Sequence, residues 1–407
     1  MNKRNLFYYD ESFHTRVITK GYIDDENDCD SYVGVSVGWN VSKDNSIRNE
    51  YEVFEKQYKE FYSVNELKSD IIGKKFYSYG FASFRKEHIK LYNEYFDICI
   101  KNNMYVYITV LSKMENIIRQ IIGPKYGYNT ELGQGLIYTI TKMILLYRPE
   151  SVISKLLSGE EEFFVELRRF IKLKIREIKN LEHKQKEEDV FRVCLVCLQQ
   201  ENLGDIEFDW NYNIAFWGLK LLIEEINLNI NRLELTIDNE GEENIDSKTL
   251  CSAKICGFPQ AIEVKSENEI GVRVADMMCG FIGRFIRALE KAHLYEEDDY
   301  KKIKYLDNKW FHLNSEQFML YKKVAKYYFI QVNHYYLTYS GIYADELCML
   351  IGLLRYIDTY ESYENFKEVS AEHHVKNVNS YICSYIGRGF ERLGTTDSYQ
   401  YNKHKLS

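Results

Sequence analysis

Proline and long apolar runs are what this chain has least of. Only three prolines occur in 407 residues, whereas about 5% of the residues in an average protein are proline, so few helices are interrupted and a Pro-rich linker is excluded. No stretch approaches the roughly 18 uninterrupted apolar residues of a membrane span. The N-terminal sequence MNKRNLFYYDES reaches an acidic pair before an apolar signal region can form. We therefore expect a largely helical, cytoplasmic protein with no membrane partner.

Paired CxxC motifs at the spacing of a zinc ribbon and the common nucleotide-binding loops are also missing. Nine cysteines without an export signal predict reduced thiols rather than a disulfide framework. Cys194 and Cys197 form a CxxC pair, but FRVCLVCL is an apolar helical run, so we interpret both as packing residues and not as zinc ligands. The loops GxGxxG and GxxxxGKS/T do not occur, which leaves nucleotide binding through them unsupported.

The overall charge is acidic. Lys and Arg number 53 against 61 Asp and Glu, a formal net charge of -8, which excludes a wholly basic nucleic-acid coat protein. A polyanionic partner must therefore be met by a local basic face. The apolar content of 45% is enough for one large core or two to three modest ones.

The first 112 residues predict strands followed by helices and a further strand. Residues 6–12, 16–23 and 32–39 are rich in Val, Ile and Tyr and are separated by the polar turn DDENDCD, as in an antiparallel meander. Apolar positions three or four residues apart predict helices over 47–62 and 84–100, and residues 105–112 predict a buried strand.

The rest of the chain predicts a helical insertion and a return to the sheet. Residues 113–231 read as almost wholly helical, and we interpret them as an insertion. Residues 232–238 and 257–266 predict strands, and 270–293 predicts a helix. Residues 294–407 predict a helical C-terminal domain with no further strand. The fold class is therefore α/β, or α+β with a mixed sheet, and its core is discontinuous over residues 1–112 and 232–293.

Four carboxylates stand at element ends or in apolar surroundings. Asp10 and Asp238 each end a predicted strand, so both project from one edge of the sheet if the two strands are parallel neighbours. Glu66 follows the first helix. Asp276 is the only acid between residues 270 and 288, so it needs water, a cation or a metal ion. Arg273 is the simplest partner for Asp276, and a divalent ion is the alternative.

The composition of this set indicates the ion. Carboxylate oxygens are the donors that Mg²⁺ and Mn²⁺ prefer, and paired ions of this kind clamp the attacking and leaving oxygens in phosphoryl transfer. Taken one at a time, each acid reads equally well as a turn former or a helix cap. Gly280 and Gly283 fall on the same side of the predicted helix as Asp276, which predicts close backbone approach there.

The segments that contain these acids resemble a known family. YYDES, ELKS, LELTID and EVKSENEIGVRVADMM resemble the bacterial domain of unknown function 3800 family, which is considered RNase H-like. The resemblance covers about residues 5–112 and 232–293. It implies an RNase H-like core in which Asp10, Glu66, Asp238 and Asp276 bind the metal. Phe13 stands where members of the family usually have glycine, and Glu55 or Glu52 on the first helix could take the role of Glu66.

This resemblance implies a Mg²⁺- or Mn²⁺-dependent nuclease that cuts DNA or RNA and suggests defence against mobile elements or viruses. Asp10, Asp238, Asp276 and Glu66 would form the metal shell, and Lys68 would position a phosphate. One alternative is a non-catalytic nucleic-acid or protein-binding module of the same fold. Another is a metal-dependent hydrolase of small phosphorylated molecules.

A basic row offers a surface for nucleic acid. Arg169, Lys172, Arg176 and Lys179 are spaced by three and four residues and could contact phosphates, as could Arg273 beside Asp276. A solvated helix face balanced by nearby glutamates is the competing interpretation. We expect the helical regions to mediate assembly, either as a homo-oligomer or within a larger complex.

Overall fold

The computed structural model describes residues 4–13, 29–199, 203–208, 210–239, 246–294, 305–331 and 338–393. It is a mixed α/β structure, as the sequence predicts. The strand predicted over 16–23 lies outside the described residues. Within them, no helix is long and apolar enough to cross a membrane.

A six-stranded mixed sheet forms the centre. Its strands are β1 (Asn5–Ser12), β2 (Ser31–Asn40), β4 (Tyr105–Ser112), β5 (Leu233–Asp238), β6 (Ala261–Val264) and β7 (Thr338–Ser340). A further short strand, β3 (Ser78–Phe81), precedes β4 in the chain. The order across the sheet is β6-β5-β1-β2-β4-β7. β2 is antiparallel to β1 and β4, whereas the β1–β5, β5–β6 and β4–β7 pairs are parallel.

Among the described residues the predicted strands are present with three differences, of which the first is that β3 was not predicted. The strand expected over 257–266 is shorter, because it begins at Ala261 and ends at Val264. β7 was not predicted, and it pairs only three residues with β4, from Ile108 with Thr338 to Val110 with Ser340. A three-residue strand has no readable alternation, so only its pairing with β4 reveals it.

Helices cover both faces of the sheet. On one face lie α1 (Asp44–Tyr62), α2 (Lys86–Lys101) and α10 (Ile270–His293), and on the other lie α8 (Asn213–Glu225) and α9 (Lys248–Ile255). Successive side chains of β1 point to opposite faces of the sheet. Leu6 and Tyr8 belong to the core under α1, α2 and α10, and Phe7 and Tyr9 belong to the core under α8 and α9. Asp10 continues the Leu6 and Tyr8 series, so it faces α10.

Residues 113–203 build a separate helical cluster. Its helices are α3 (Lys113–Tyr126), α4 (Glu131–Tyr147), α5 (Glu150–Leu157), α6 (Phe163–Ile178) and α7 (Gln185–Cys197). Their inward-facing side chains form a core of their own, from Met114 to Leu203. By contrast, α8 packs on the sheet, with Phe216 against Tyr9 at a ring-centroid distance of 4.8 Å.

The C-terminal helices share the core of the sheet. They are α11 (Ser315–Lys326), α12 (Asp345–Asp358), α13 (Tyr363–Lys367) and α14 (Ala371–Leu393). Buried residues of this part, such as Tyr321 and Leu353, belong to the same apolar cluster as Phe281 of α10. This region therefore covers the α1–α2–α10 layer.

Candidate active site

Asp238 ends β5, and Asp10, which the sequence placed at the end of the first strand, lies two residues before the end of the parallel neighbour β1. β1 and β5 pair from Asn5 with Leu233 to Tyr9 with Ile237, so the next residues along, Asp10 and Asp238, stand side by side at the carboxyl edge of the sheet. In-register neighbours of parallel strands point to the same face. The parallel arrangement on which the sequence argument depended is therefore present.

Helix α10 brings Asp276 to this edge. Its first turn lies against Tyr8, because a Cβ on Gly271 would come within 2.2 Å of the Tyr8 ring. Two turns later, Cys279 Sγ lies 3.4 Å from the Ser12 hydroxyl. The helix thus runs alongside β1 from Tyr8 to Ser12, and Asp276 falls beside Asp10.

Asp10 lies among like charges at this edge. It is only 8% exposed, and its pKa is raised well above the usual value first by burial and then by the charges of Asp276 and Asp238. The carboxylates of Asp276 and Asp238 are therefore close enough to Asp10 to disfavour its charged form.

Asp276 is held by Ser69 and not by Arg273. The Ser69 backbone N–H donates to Asp276 Oδ2, and the Ser69 hydroxyl donates to Oδ1, each at 2.8 Å. Burial raises the pKa of Asp276, whereas the Ser69 hydrogen bonds and the charges of Arg284 and Lys68 lower it; the net shift is upward. The short ELKSD segment thus supplies Ser69, which orients the Asp276 carboxylate. No periodic pattern in the sequence indicated this contact.

Gly280 allows Ser69 to reach Asp276. It lies one turn after Asp276 on α10, and a Cβ at this position would come within 2.0 Å of the Ser69 hydroxyl oxygen. At Gly283 a Cβ would come within 2.9 Å of Ser12. The predicted close backbone approach is confirmed at both glycines.

Arg273 has a different partner from the one expected. Its Nε lies 2.9 Å from Glu55 Oε1 of α1, with the two side chains 12% and 9% exposed. Its Nη1 also donates to the carbonyl oxygen of Ser266 at 2.7 Å. Arg273 therefore pairs with Glu55 and not with Asp276, which removes the simpler of the two partners that the sequence offered for Asp276. Contact of Arg273 with a phosphate stays a prediction.

The same arginine supports Asp238 indirectly. The turn that Arg273 holds through the Ser266 carbonyl presents the Ser266 backbone N–H to Asp238 Oδ1 at 3.1 Å. Glu55, which the sequence offered as an alternative ligand, is occupied by Arg273, and Glu52 lies on the exposed face of α1.

Glu66 and Lys68 approach the site from the loop after α1. Lys68 Nζ lies 3.7 Å from Glu66 Oε2. The pKa of Lys68 is raised, because the charges of Glu66, Asp276 and Asp238 outweigh the opposing effect of burial, which is the largest single influence. Lys68 is exposed, so its ammonium group borders the carboxylates and remains accessible.

A small recess of about 20 Å³ opens beside Asp10 and Asp238. It is lined by Tyr9, Asp10, Glu11, Ile237, Asp238, Ser247 and Thr249. Glu11 projects to the opposite face of the sheet from Asp10 and accepts a hydrogen bond from the Tyr32 hydroxyl at 2.8 Å. The sequence analysis missed Glu11, Ser247 and Thr249; adjacency to Asp10 in the YYDES segment was the only signal for Glu11.

The carboxylate oxygens at this edge are donors that suit a divalent cation, but they do not form a complete coordination shell. Among the described residues no group of three or more His, Cys, Asp and Glu is arranged to hold a metal ion. Mg²⁺ takes one or two carboxylates and completes its shell with water and substrate phosphate oxygens. The Asp10–Asp238 edge, with its excess negative charge, meets that lesser requirement.

The basic row of α6 is exposed but belongs to the separate helical cluster. Arg169, Lys172 and Arg176 lie on the outer face of α6, and Lys179 directly follows the helix. Glu166 pairs with Arg169, which partly neutralises the row. The nine cysteines all lie among the described residues and form no disulfide bond, and Cys194 is buried in the core of this cluster.

Comparison of the chain with protein-family models, with curated proteins and with solved structures found no match.

Proposed function

We propose that this protein is a Mg²⁺- or Mn²⁺-dependent nuclease with an RNase H-like carboxylate site. The observation that carries the proposal is the meeting of Asp10, Asp238 and Asp276 at one sheet edge, where the buried carboxylate of Asp10 faces the like charges of the other two. A divalent cation between these carboxylates would offset their mutual repulsion. A role in defence against mobile elements belongs to the same proposal.

Each carboxylate of the site has a proposed role in binding the ion. Asp10 and Asp238 would hold the ion, and Asp276 and Glu66 would complete its surroundings. When bound, such an ion neutralises charge on the phosphate and lowers the pKa of a coordinated water. Lys68 would contact a non-bridging phosphate oxygen. In the hydrolysis, a water oxygen would bond to phosphorus as the bond from phosphorus to the leaving oxygen breaks, and the proton that the water gives up would balance the one that the leaving oxygen takes up.

The experiment combines cleavage with direct metal binding. Purified protein is incubated with single-stranded and duplex DNA and RNA in Mg²⁺, in Mn²⁺ and in chelator, and Mn²⁺ binding is measured by calorimetry. Asp10→Asn and Asp238→Asn should abolish both cleavage and Mn²⁺ binding. Asp205→Asn, at an exposed position, is the matched control and should retain both. Cleavage that persists in Asp10→Asn would contradict the proposed site.

A second candidate is a non-catalytic nucleic-acid or protein-binding module of the same fold. Two observations favour it: both Asp276 oxygens already accept from Ser69, and no compact three-ligand group is present among the described residues. It predicts oligonucleotide or protein binding that is unchanged in chelator, no cleavage, and no Mn²⁺ binding by the wild type.

A further inference from the structure

A band of cations and aromatic rings borders the carboxylate site. It is formed by the loop after α1, the residue after β1 and the segment before α11. We call it the loop strip, and its members are Lys74, Lys75, Arg85 and Lys309 with the rings of Phe13, Phe76 and Tyr79. None of these residues is needed for the proposed metal site.

Each cation of the loop strip lies over a ring. Lys74 Nζ is 5.6 Å from the centroid of Phe13, and Lys309 Nζ is 5.0 Å from that of Tyr79. Lys75 and Arg85 approach Phe76 at 5.2 and 4.8 Å. These contacts are attractive, and they hold long side chains that would otherwise sample many rotamers.

The charge of this region is opposite to that of the protein. Loop residues 63–85 contain four cations and only two acids, Glu66 and Asp70, in a chain of net charge -8. Lys75, Arg85 and Lys309 are exposed, and Lys74 is partly exposed. The nearest acid to Arg85 is Glu87, at 3.9 Å, which is a loose surface pair.

The loop strip leads into the site. Phe13 directly follows Ser12 of β1, and a Cβ on Gly283 of α10 would lie 3.2 Å from its ring. At the other side, Lys68 in the same loop borders Asp276 and Asp238. A polyanion lying along the strip would therefore pass beside the carboxylates.

From this arrangement we infer that the loop strip binds single-stranded nucleic acid and delivers its phosphodiester backbone to the carboxylate edge. The delivery of the backbone to the carboxylates rests on the proposed nuclease function, whereas binding of the single strand can be tested without it. Cations that follow a backbone, interleaved with rings on which bases stack, are the combination used for single strands. A duplex would offer the rings no exposed base face. On α6, Lys174 lies over the rings of Phe170 and Tyr147, but it is not one of the four cations of the basic row. We therefore assign that row no part in this delivery.

The test is binding in chelator, where no metal-dependent cleavage occurs. The probe is a labelled oligothymidylate of about 20 nucleotides, and affinity is measured by fluorescence anisotropy over a range of salt concentrations. The strip variant replaces Lys74, Lys75, Arg85 and Lys309 with Gln. The control variant replaces Arg169, Lys172, Arg176 and Lys179 with Gln. Each variant therefore loses four positive charges.

We expect the strip variant to bind at least about tenfold more weakly, and the slope of log affinity against log salt to fall by about 0.7 for each lost phosphate contact. The control variant should bind like the wild type. Wild-type protein should also prefer the single strand to a duplex of equal length. Thermal melts of both variants check that the fold is intact.

Three results would overturn the inference: equal weakening in both variants, weakening in the control alone, or a preference for duplex. Failure of the proposed function looks different. A wild type that binds the oligonucleotide through the loop strip but neither cleaves it nor binds Mn²⁺ would refute the nuclease and leave the loop strip standing.

Discussion

Arg273 and Glu55 form an ion pair of 2.9 Å between α10 and α1, and the same arginine fixes the turn whose Ser266 N–H contacts Asp238. The pair is almost fully buried. Removing one partner of such a pair leaves an uncompensated charge in the interior, which costs far more than losing a surface pair. Arg273 therefore supports both the packing of α1 on α10 and the position of a proposed metal ligand.

We expect Arg273→Gln and Glu55→Gln each to lower the free energy of unfolding by about 3 kcal/mol, measured by urea denaturation. The double variant should lose less than the sum of the two, because it leaves no unpaired charge. Arg169→Gln breaks the exposed pair with Glu166 and should cost less than about 1 kcal/mol. Strictly additive losses in the double variant would show that the two side chains do not interact.

Gly280→Ala should displace Ser69 from Asp276. The added Cβ would come within 2.0 Å of the Ser69 hydroxyl oxygen, and overpacking of this kind costs about 1 to 3 kcal/mol. Gly135→Ala on α4 is the matched control, since a Cβ there meets nothing within 4 Å and alanine favours a helix by up to about 1 kcal/mol. The melting temperature should therefore fall in Gly280→Ala and rise in Gly135→Ala. Equal shifts of the two melting temperatures would contradict the close approach of Ser69 to Gly280.

Asp10→Asn should stabilise the metal-free protein while it removes metal binding. The charge of Asp10 is unfavourable in the apo form because Asp10 is buried beside Asp276 and Asp238, so its removal should raise the free energy of unfolding by about 1 to 2 kcal/mol at neutral pH. Added Mn²⁺ should raise the melting temperature of the wild type only. A destabilised Asp10→Asn protein would indicate that Asp10 serves mainly as a structural hydrogen-bond acceptor.

Glu290 makes stability depend on pH at a second acidic cluster. This residue of α10 lines a cavity with Asp30 and Glu346, and burial, followed by the charges of those two acids, raises the pKa of Glu290 from 4.5 to about 7. Between these values the folded protein retains a proton that the unfolded chain has released. Stability is therefore lost as the pH rises through this window.

Glu290→Gln tests this linkage. We expect the free energy of unfolding of the wild type to fall by roughly 1 to 3 kcal/mol more than that of the variant between pH 5 and pH 8. Gln retains an oxygen that can accept from the Asp30 N–H, which bonds to Glu290 at 2.9 Å. The difference between the two proteins should be small at pH 5 and widen with pH. A constant difference would mean that Glu290 does not titrate in this window.

The sequence by itself determined the elements that have a clear local pattern. Segments rich in aromatic and β-branched residues predicted β1 and β2, the three-and-four spacing from Ile47 to Tyr58 predicted α1, and the apolar series after Ile270 predicted α10 with its observed limits. Asp238 was correctly placed at a strand end, whereas Asp10 lies two residues before the end of β1. These features follow from composition and periodicity within a single segment, so they need no knowledge of neighbours.

Only the tertiary structure decided which charges meet. Arg273 lies one turn from Asp276 in the sequence, yet its side chain pairs with Glu55, more than two hundred residues away, while Ser69 takes Asp276. The packing of the C-terminal helices on the α1–α2–α10 layer and the pairing of β7 were likewise set by long-range contact. Side-chain partners depend on where helices pack and on the space a glycine such as Gly280 leaves between them, and neither is encoded in the spacing of residues along one helix.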